Sequence, residues 1–109
     1  MDIDAYIREN ISSFIDVTAT NVMYTSLAFY HSDSVNMLLN GIIATPPKNE
    51  LFLELIDYII DLVRKKQPFD FLHFTNDFGN RVAARVKEKL HTGMNYNVND
   101  TDINYYLFQ

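Results

Sequence analysis

The chain has 109 residues, of which 48% are hydrophobic and 14% aromatic: the length of one domain, with ample material for a core and too little polarity for a disordered segment. A net charge of −5 argues against general nucleic-acid binding, and the lack of cysteine excludes a disulfide framework, a zinc–thiolate site and a thiol nucleophile. No apolar run reaches membrane-spanning length, and no signal-peptide pattern is read at the start. Seven of the nine Lys and Arg residues lie between Arg64 and Lys89, a distribution expected of solvated helix faces.

The chain opens with Asp2-Ile3-Asp4. In an extended backbone both carboxylates point to one side and Ile3 to the other. Two hard oxygen ligands so placed suit Mg²⁺ or Mn²⁺ against a diphosphate. The plainer reading is an acidic start ahead of a helix that favours acids in its first turn. Residues 5–14 read as a short helix with Ile7, Ile11 and Phe14 on one face. Residues 18–30, rich in Thr and aromatics and poor in charge, read as one strand, and 31–36 as a polar connection. Asn40-Gly41 has turn chemistry, and 41–45 is short and apolar enough for a buried strand that Pro46 and Pro47 end.

The clearest helix follows. Leu51, Phe52, Leu53, Leu55, Ile56, Tyr58, Ile59, Ile60, Leu62 and Val63 are apolar, and Glu50, Glu54, Asp57, Asp61 and Lys65 form the only polar stripe. An apolar face this wide calls for cover on most sides. Asn49 is the expected N-cap with acidic Glu50 inside it; Arg64, Lys65 and Lys66 suit the last turn, and Pro68 blocks continuation. Residues 67–74 are aromatic, and His73 among them is read as a hydrogen-bonded core residue.

Thr75 or Asn76 is expected to cap a second long helix. Phe78, Val82, Val86 and Leu90 recur every four residues on its apolar face, and Gly93 is its expected stop. Gly79 near its start suggests a close backbone approach or a tolerated glycine. Residues 94–109 form a polar, then aromatic tail, free to dock as a strand. There is no internal repeat, no phosphate-cradling glycine loop and no Ser, His and Asp arrangement at recognisable spacing.

Three stretches together resemble one family. DIDAYIRENISSFID resembles the "Y-x-D-x-D" strand end and following helix of glycosyltransferases with an Asp-x-Asp sugar-binding region. These include fungal initiating mannosyltransferases, capsular-polysaccharide transferases, clostridial toxin glucosyltransferases and homologues in large DNA viruses. NGIIATPPKNELF is similar to that family's "N-x-I-I-A-S-P-x-x-H-P-F", with Asn49-Glu50 in place of His-Pro. Thr75-Asn76-Asp77 stands where the family has "T-G-P", a departure at that turn.

The resemblance implies an α/β fold, α+β in a fragment of this length, with short strands and two long helices: the C-terminal part of a glycosyltransferase A-type fold. It implies a nucleotide-sugar donor, a glycan or protein acceptor, and Mn²⁺ or Mg²⁺ held by Asp2 and Asp4, with Asn40 near the donor sugar. The cation would neutralise the leaving diphosphate. The partial sugar-binding domain is expected over 1–93, with 94–109 as its tail. The nucleotide-binding half that precedes the motif in the family is expected to be missing here, so the resemblance implies a fragment, a truncated reading frame or a remnant that has lost catalysis, expected to bind donor poorly and to transfer sugar slowly or not at all. The surface that half would cover, centred on Ile3, Ile42 and Ile43, is expected to drive self-association. The alternative is a non-catalytic α+β module whose helices bind a partner protein. Convergence of Asp2, Asp4 and Asn40 on one cleft would favour the transferase.

Overall fold

Four short strands and two helices make up the described residues, 10–27, 38–68 and 71–108, of the computed structural model; the side chains at positions 40 and 71–73 lie outside that description. A single 3-10 turn, Ile11–Ser13, precedes β1 (Val22–Leu27) and β2 (Leu38–Ala44). The helices α1 (Glu50–Arg64) and α2 (Phe71–Ala83) follow, then β3 (Gly93–Asn95) and β4 (Asn104–Phe108). The strands form one mixed sheet in the order β2-β1-β4-β3. β1 runs antiparallel to β2 and parallel to β4, and β3 runs antiparallel to β4. The fold is therefore α+β.

The sheet has two different faces because side chains alternate along each strand. Tyr105 and Leu107 of β4 are buried, whereas Asn104, Tyr106 and Phe108 are half-buried. The first set joins Met23, Leu38, Leu51, Leu55, Phe78 and Val82 in the core between sheet and helices. On the opposite face Tyr24 stacks on Phe108 with ring centroids 6.0 Å apart, and Phe14 meets Phe108 edge-on at 5.7 Å. The Asp16 amide donates to the Tyr24 hydroxyl at 3.2 Å, tying the 3-10 segment to that aromatic layer.

β2 starts before Asn40-Gly41, so that pair is not the turn its composition suggests. Thr25 pairs with Ile43 but Ser26 pairs with Leu39, so Asn40, Gly41 and Ile42 bulge out of the ladder. The buried Thr25 hydroxyl lies 3.0 Å from the carbonyl oxygens of both Leu39 and Ile42 and holds the two ends of the bulge.

α1 begins and ends on local chemistry. The Asn49 side chain accepts from the Leu51 amide at 3.1 Å, Glu50 sits in the first turn and Arg64 in the last. At the far end Lys66 adopts φ 54°, its amide donates to Val63 at 3.1 Å, and the Gln67 amide donates to Leu62 at 3.0 Å. This is a Schellman closure with lysine in the left-handed position that glycine favours.

α2 departs from its expected extent. Thr75 and Asn76 lie inside it rather than at its cap, and it stops at Ala83 rather than near Gly93. Val86 instead forms a bridge with Asn97; the Lys87 amide donates to Tyr96 at 3.0 Å, and the Val98 amide to Arg85 at 2.8 Å. Val86 and Leu90 are still buried, but from irregular chain. Gly93, with φ 97°, starts β3 instead of ending a helix. The segment after it does dock as strand: β4 lies between β1 and β3, inside the sheet.

Candidate functional site

The apolar face of α1 is wider than the fold covers. Leu51, Leu55 and Leu62 are buried against the core. Leu53, Ile56, Ile60 and Val63 remain 64, 51, 42 and 68% exposed. Their spacings of three, four and three place them on one side of the helix, as a continuous strip rather than scattered residues. Phe52 and Ile59, both half-buried, border the strip on one flank, and exposed Asp57 and Arg64 border it on the other. Single exposed aliphatics are ordinary on a protein surface; four on one side of one helix, bordered by charge on one flank, make this strip the candidate contact surface.

The remaining sector of α1 is occupied by polar contacts with α2 and the turn after it. Glu54 accepts from Arg81 at 3.2 Å and from Arg85, while Arg81 Nε also donates to Asp77 at 2.7 Å. The Asp77 carboxylate beside it holds the Arg81 guanidinium above its usual pKa range. Arg81 also lies 5.6 Å from the centroid of the Tyr58 ring. This network fixes α1 against α2, and so fixes the direction in which the exposed strip points.

A cavity of about 460 Å³ lies at the N-terminal end of α1, lined by Lys48, Glu50, Arg85, Asn97, Asn99, Asp102 and Tyr105 among others. Its charges are of both signs, and its asparagines are spent on the adjoining turn. Asn97 donates to Ile103 at 2.9 Å and accepts from Asn99 at 2.9 Å; Asn99 in turn accepts from the Thr101 hydroxyl at 2.9 Å. Burial raises the Tyr105 phenol above its ordinary pKa, so it stays neutral at physiological pH. These groups build a turn and supply no nucleophile–base pair.

Of the residues expected to bind donor and metal, Asp2 and Asp4 lie outside the described residues. Asn40 lies in the β2 bulge, with its side chain outside the description. His73 lies in α2, its side chain likewise outside it. Ile42 and Ile43 are half-buried, and Ile3 lies outside the described residues. Among the described residues, no group of three or more His, Cys, Asp or Glu side chains is placed to hold a metal ion, and no helix is long and apolar enough to cross a membrane. The sequence shows the wide apolar face of α1 and leads to the expectation of cover on most sides, which the exposure of this strip contradicts, because an apolar residue carries no local mark of whether the fold will cover it. Compared with protein-family models, with curated proteins and with solved structures, the chain matches none.

Proposed function

We propose that this chain is a non-catalytic α+β interaction module that docks through the exposed face of α1. One observation carries the reading: Leu53, Ile56, Ile60 and Val63 form an uncovered strip along a helix that is capped at both ends and braced against α2. A helix held in this way pays little ordering entropy when it meets a partner, and apolar area removed from water is the main driving force of association. The test is a photoreactive residue at Ile56, compared with one at Tyr96, which is similarly exposed at 61%. In cells that make the protein, cross-links to protein should form at position 56, should be lost with Ile60→Glu, and should be absent at position 96. Equal labelling at both positions would remove the reading.

The transferase remains a second proposal, supported by one observation. β2, the Pro46-Pro47 turn and α1 follow in the order strand, proline turn, helix that the resemblance implies. On that reading Asp2 and Asp4 hold Mn²⁺ or Mg²⁺ against a nucleotide-sugar donor and Asn40 approaches its sugar. Thermal-shift titration with uridine and guanosine diphosphate sugars tests it, because a ligand that binds only the native state raises its stability. A Mn²⁺-dependent rise that disappears in Asp4→Ala supports donor binding; no rise with any donor removes it.

A further inference from the structure

We propose that the cavity at the N-terminal end of α1 binds a free amino acid with an apolar side chain, and that the Tyr105 hydroxyl donates to its carboxylate. The argument starts from one unused group. Other polar side chains buried in this fold spend their atoms within it. The Tyr24 hydroxyl accepts from the Asp16 amide, the Thr25 hydroxyl donates to Leu39, and Asn95 and Asn97 donate to backbone carbonyls. Tyr105 is 2% exposed, yet among the described residues its hydroxyl has no hydrogen-bond partner. No fully enclosed side-chain nitrogen or oxygen among those residues lacks a partner, so this oxygen is not enclosed. It opens on the cavity of about 460 Å³ that Tyr105 lines. Phenylalanine would fill the core as well; a hydroxyl at this depth with no partner in the chain is a donor free for a ligand.

The charges around that hydroxyl select the ligand. Lys48, Glu50 and Asp102 line the cavity and form no ion pair among the described residues. Arg85 lines it too, anchored by Glu54 and by the Arg81 carbonyl at 2.8 Å. Asn49 takes the Leu51 amide, and the positive end of the α1 dipole lies at the same cavity. A bare anion meets Glu50 and Asp102; a bare cation meets Lys48, Arg85 and the helix end. An uncharged molecule leaves all of these unused. A zwitterion uses both signs, with its carboxylate at Tyr105 and Arg85 and its ammonium at Asp102. The Tyr105 phenol feels both Arg85 and Asp102, so opposite charges lie within electrostatic reach of the one hydroxyl. A ligand that carries both its charges on one carbon requires that closeness. Leu51, Val98 and Ile103 line the remainder and suit an apolar side chain. The volume falls within the roughly 300–1,000 Å³ of small-molecule sites. None of the four strip residues of α1 lines this cavity, so the proposal stands whether or not a protein meets the strip.

The test is amide NMR of the full chain, titrated with L-leucine, L-methionine and L-phenylalanine. One or more of them should give saturable shifts at Glu50, Val98 and Asp102, with Kd on the order of 0.1–1 mM, so a titration to about 20 mM suffices. The N-acetyl form of that amino acid lacks the ammonium and the amide form lacks the carboxylate; each should bind about tenfold more weakly. Tyr105→Phe should leave the amide spectrum and Tm of the free chain in place, because the hydroxyl has no partner there, and should weaken binding about tenfold. Asp102→Asn removes a carboxylate that forms no ion pair in the fold. It should weaken binding of the amino acid and leave that of its N-acetyl form unchanged. Three results would each overturn the proposal. The first is no saturable shift with any of the three amino acids. The second is an acetylated or amidated form that binds as tightly as the parent. The third is unchanged affinity in Tyr105→Phe or, should that variant not fold, in Asp102→Asn.

Discussion

The Thr25 hydroxyl donates to the Leu39 carbonyl at 3.0 Å, and the Ile42 carbonyl lies at the same distance, so one proton is shared across the mouth of the β2 bulge. Thr25 is fully buried, so no water replaces the bond when it is lost. Thr25→Val keeps the shape and removes the donor. It should destabilise the chain by about 1–3 kcal/mol, the cost of leaving a buried acceptor short of a partner. A lowered urea midpoint with an unchanged slope is the expected result.

Lys66 closes α1 at φ 54°, where a side chain is strained and glycine is not. Lys66→Gly should therefore stabilise the chain by about 0.5–1 kcal/mol, even though it removes a cation from a helix end. For a domain of this size that is a rise in Tm of roughly 3–6 °C, measurable by calorimetry.

Asn95 is the most heavily used polar side chain among the described residues. It is 2% exposed; its Nδ2 donates to the carbonyls of His91 at 2.8 Å, Gly93 at 3.0 Å and Tyr105 at 3.3 Å, and its Oδ1 accepts from the His91 amide at 3.1 Å. Asn95→Leu leaves three carbonyls and an amide without these partners, and about 2–4 kcal/mol of destabilisation is expected. Asn95→Asp keeps the acceptor and loses all three donations, so it should fall no better than midway between wild type and Asn95→Leu in a denaturant titration.

Two of the described groups have shifted titrations that bear on the pH dependence of stability. The Thr18 hydroxyl and amide both donate to Asp16, at 2.6 and 3.0 Å, and hold its carboxyl below the ordinary range. A depressed carboxyl stabilises the fold above its unfolded pKa of about 3.9, and that contribution disappears as pH falls through the lower folded value. Thr18→Val removes the hydroxyl and should move the Asp16 titration, followed by NMR, back towards the ordinary range. Tyr105 behaves in the opposite sense. Burial raises its phenol, so its contribution is present below about pH 10 and is lost as pH rises through the folded value. Tyr105→Phe should flatten the alkaline limb of stability and leave the acid limb unchanged.

α1 could be read from its sequence because its signals are local: Asn49 and Glu50 at one end, Arg64 and Pro68 at the other, and an apolar period between. The burial of Phe78, Val82, Val86 and Leu90 was equally legible, but not the element that achieves it. A spacing of four fits both a continuing helix and the observed path, and the choice was made by the bridge from Val86 to Asn97, eleven residues away. The Asn40-Gly41 pair failed for the same reason. Its turn chemistry is real, but it serves a bulge whose closure depends on Thr25 in another strand. The apolar width of α1 was legible as spacing, and cover on most sides was expected of it. The exposure of the strip was not legible, because it depends on which side of the helix the sheet and α2 happen to occupy.

The parallel pairing of β1 with β4 has a consequence for how the chain is made. Val22 pairs with Asn104, so this contact waits for about eighty further residues to leave the ribosome. Until then β1, with β2 already beside it, presents an unpaired edge and the apolar side chains of Met23 and Leu38. Until β4 arrives that edge is open to pairing with another chain, so strand exchange between unfinished copies is the misfolding route this topology invites.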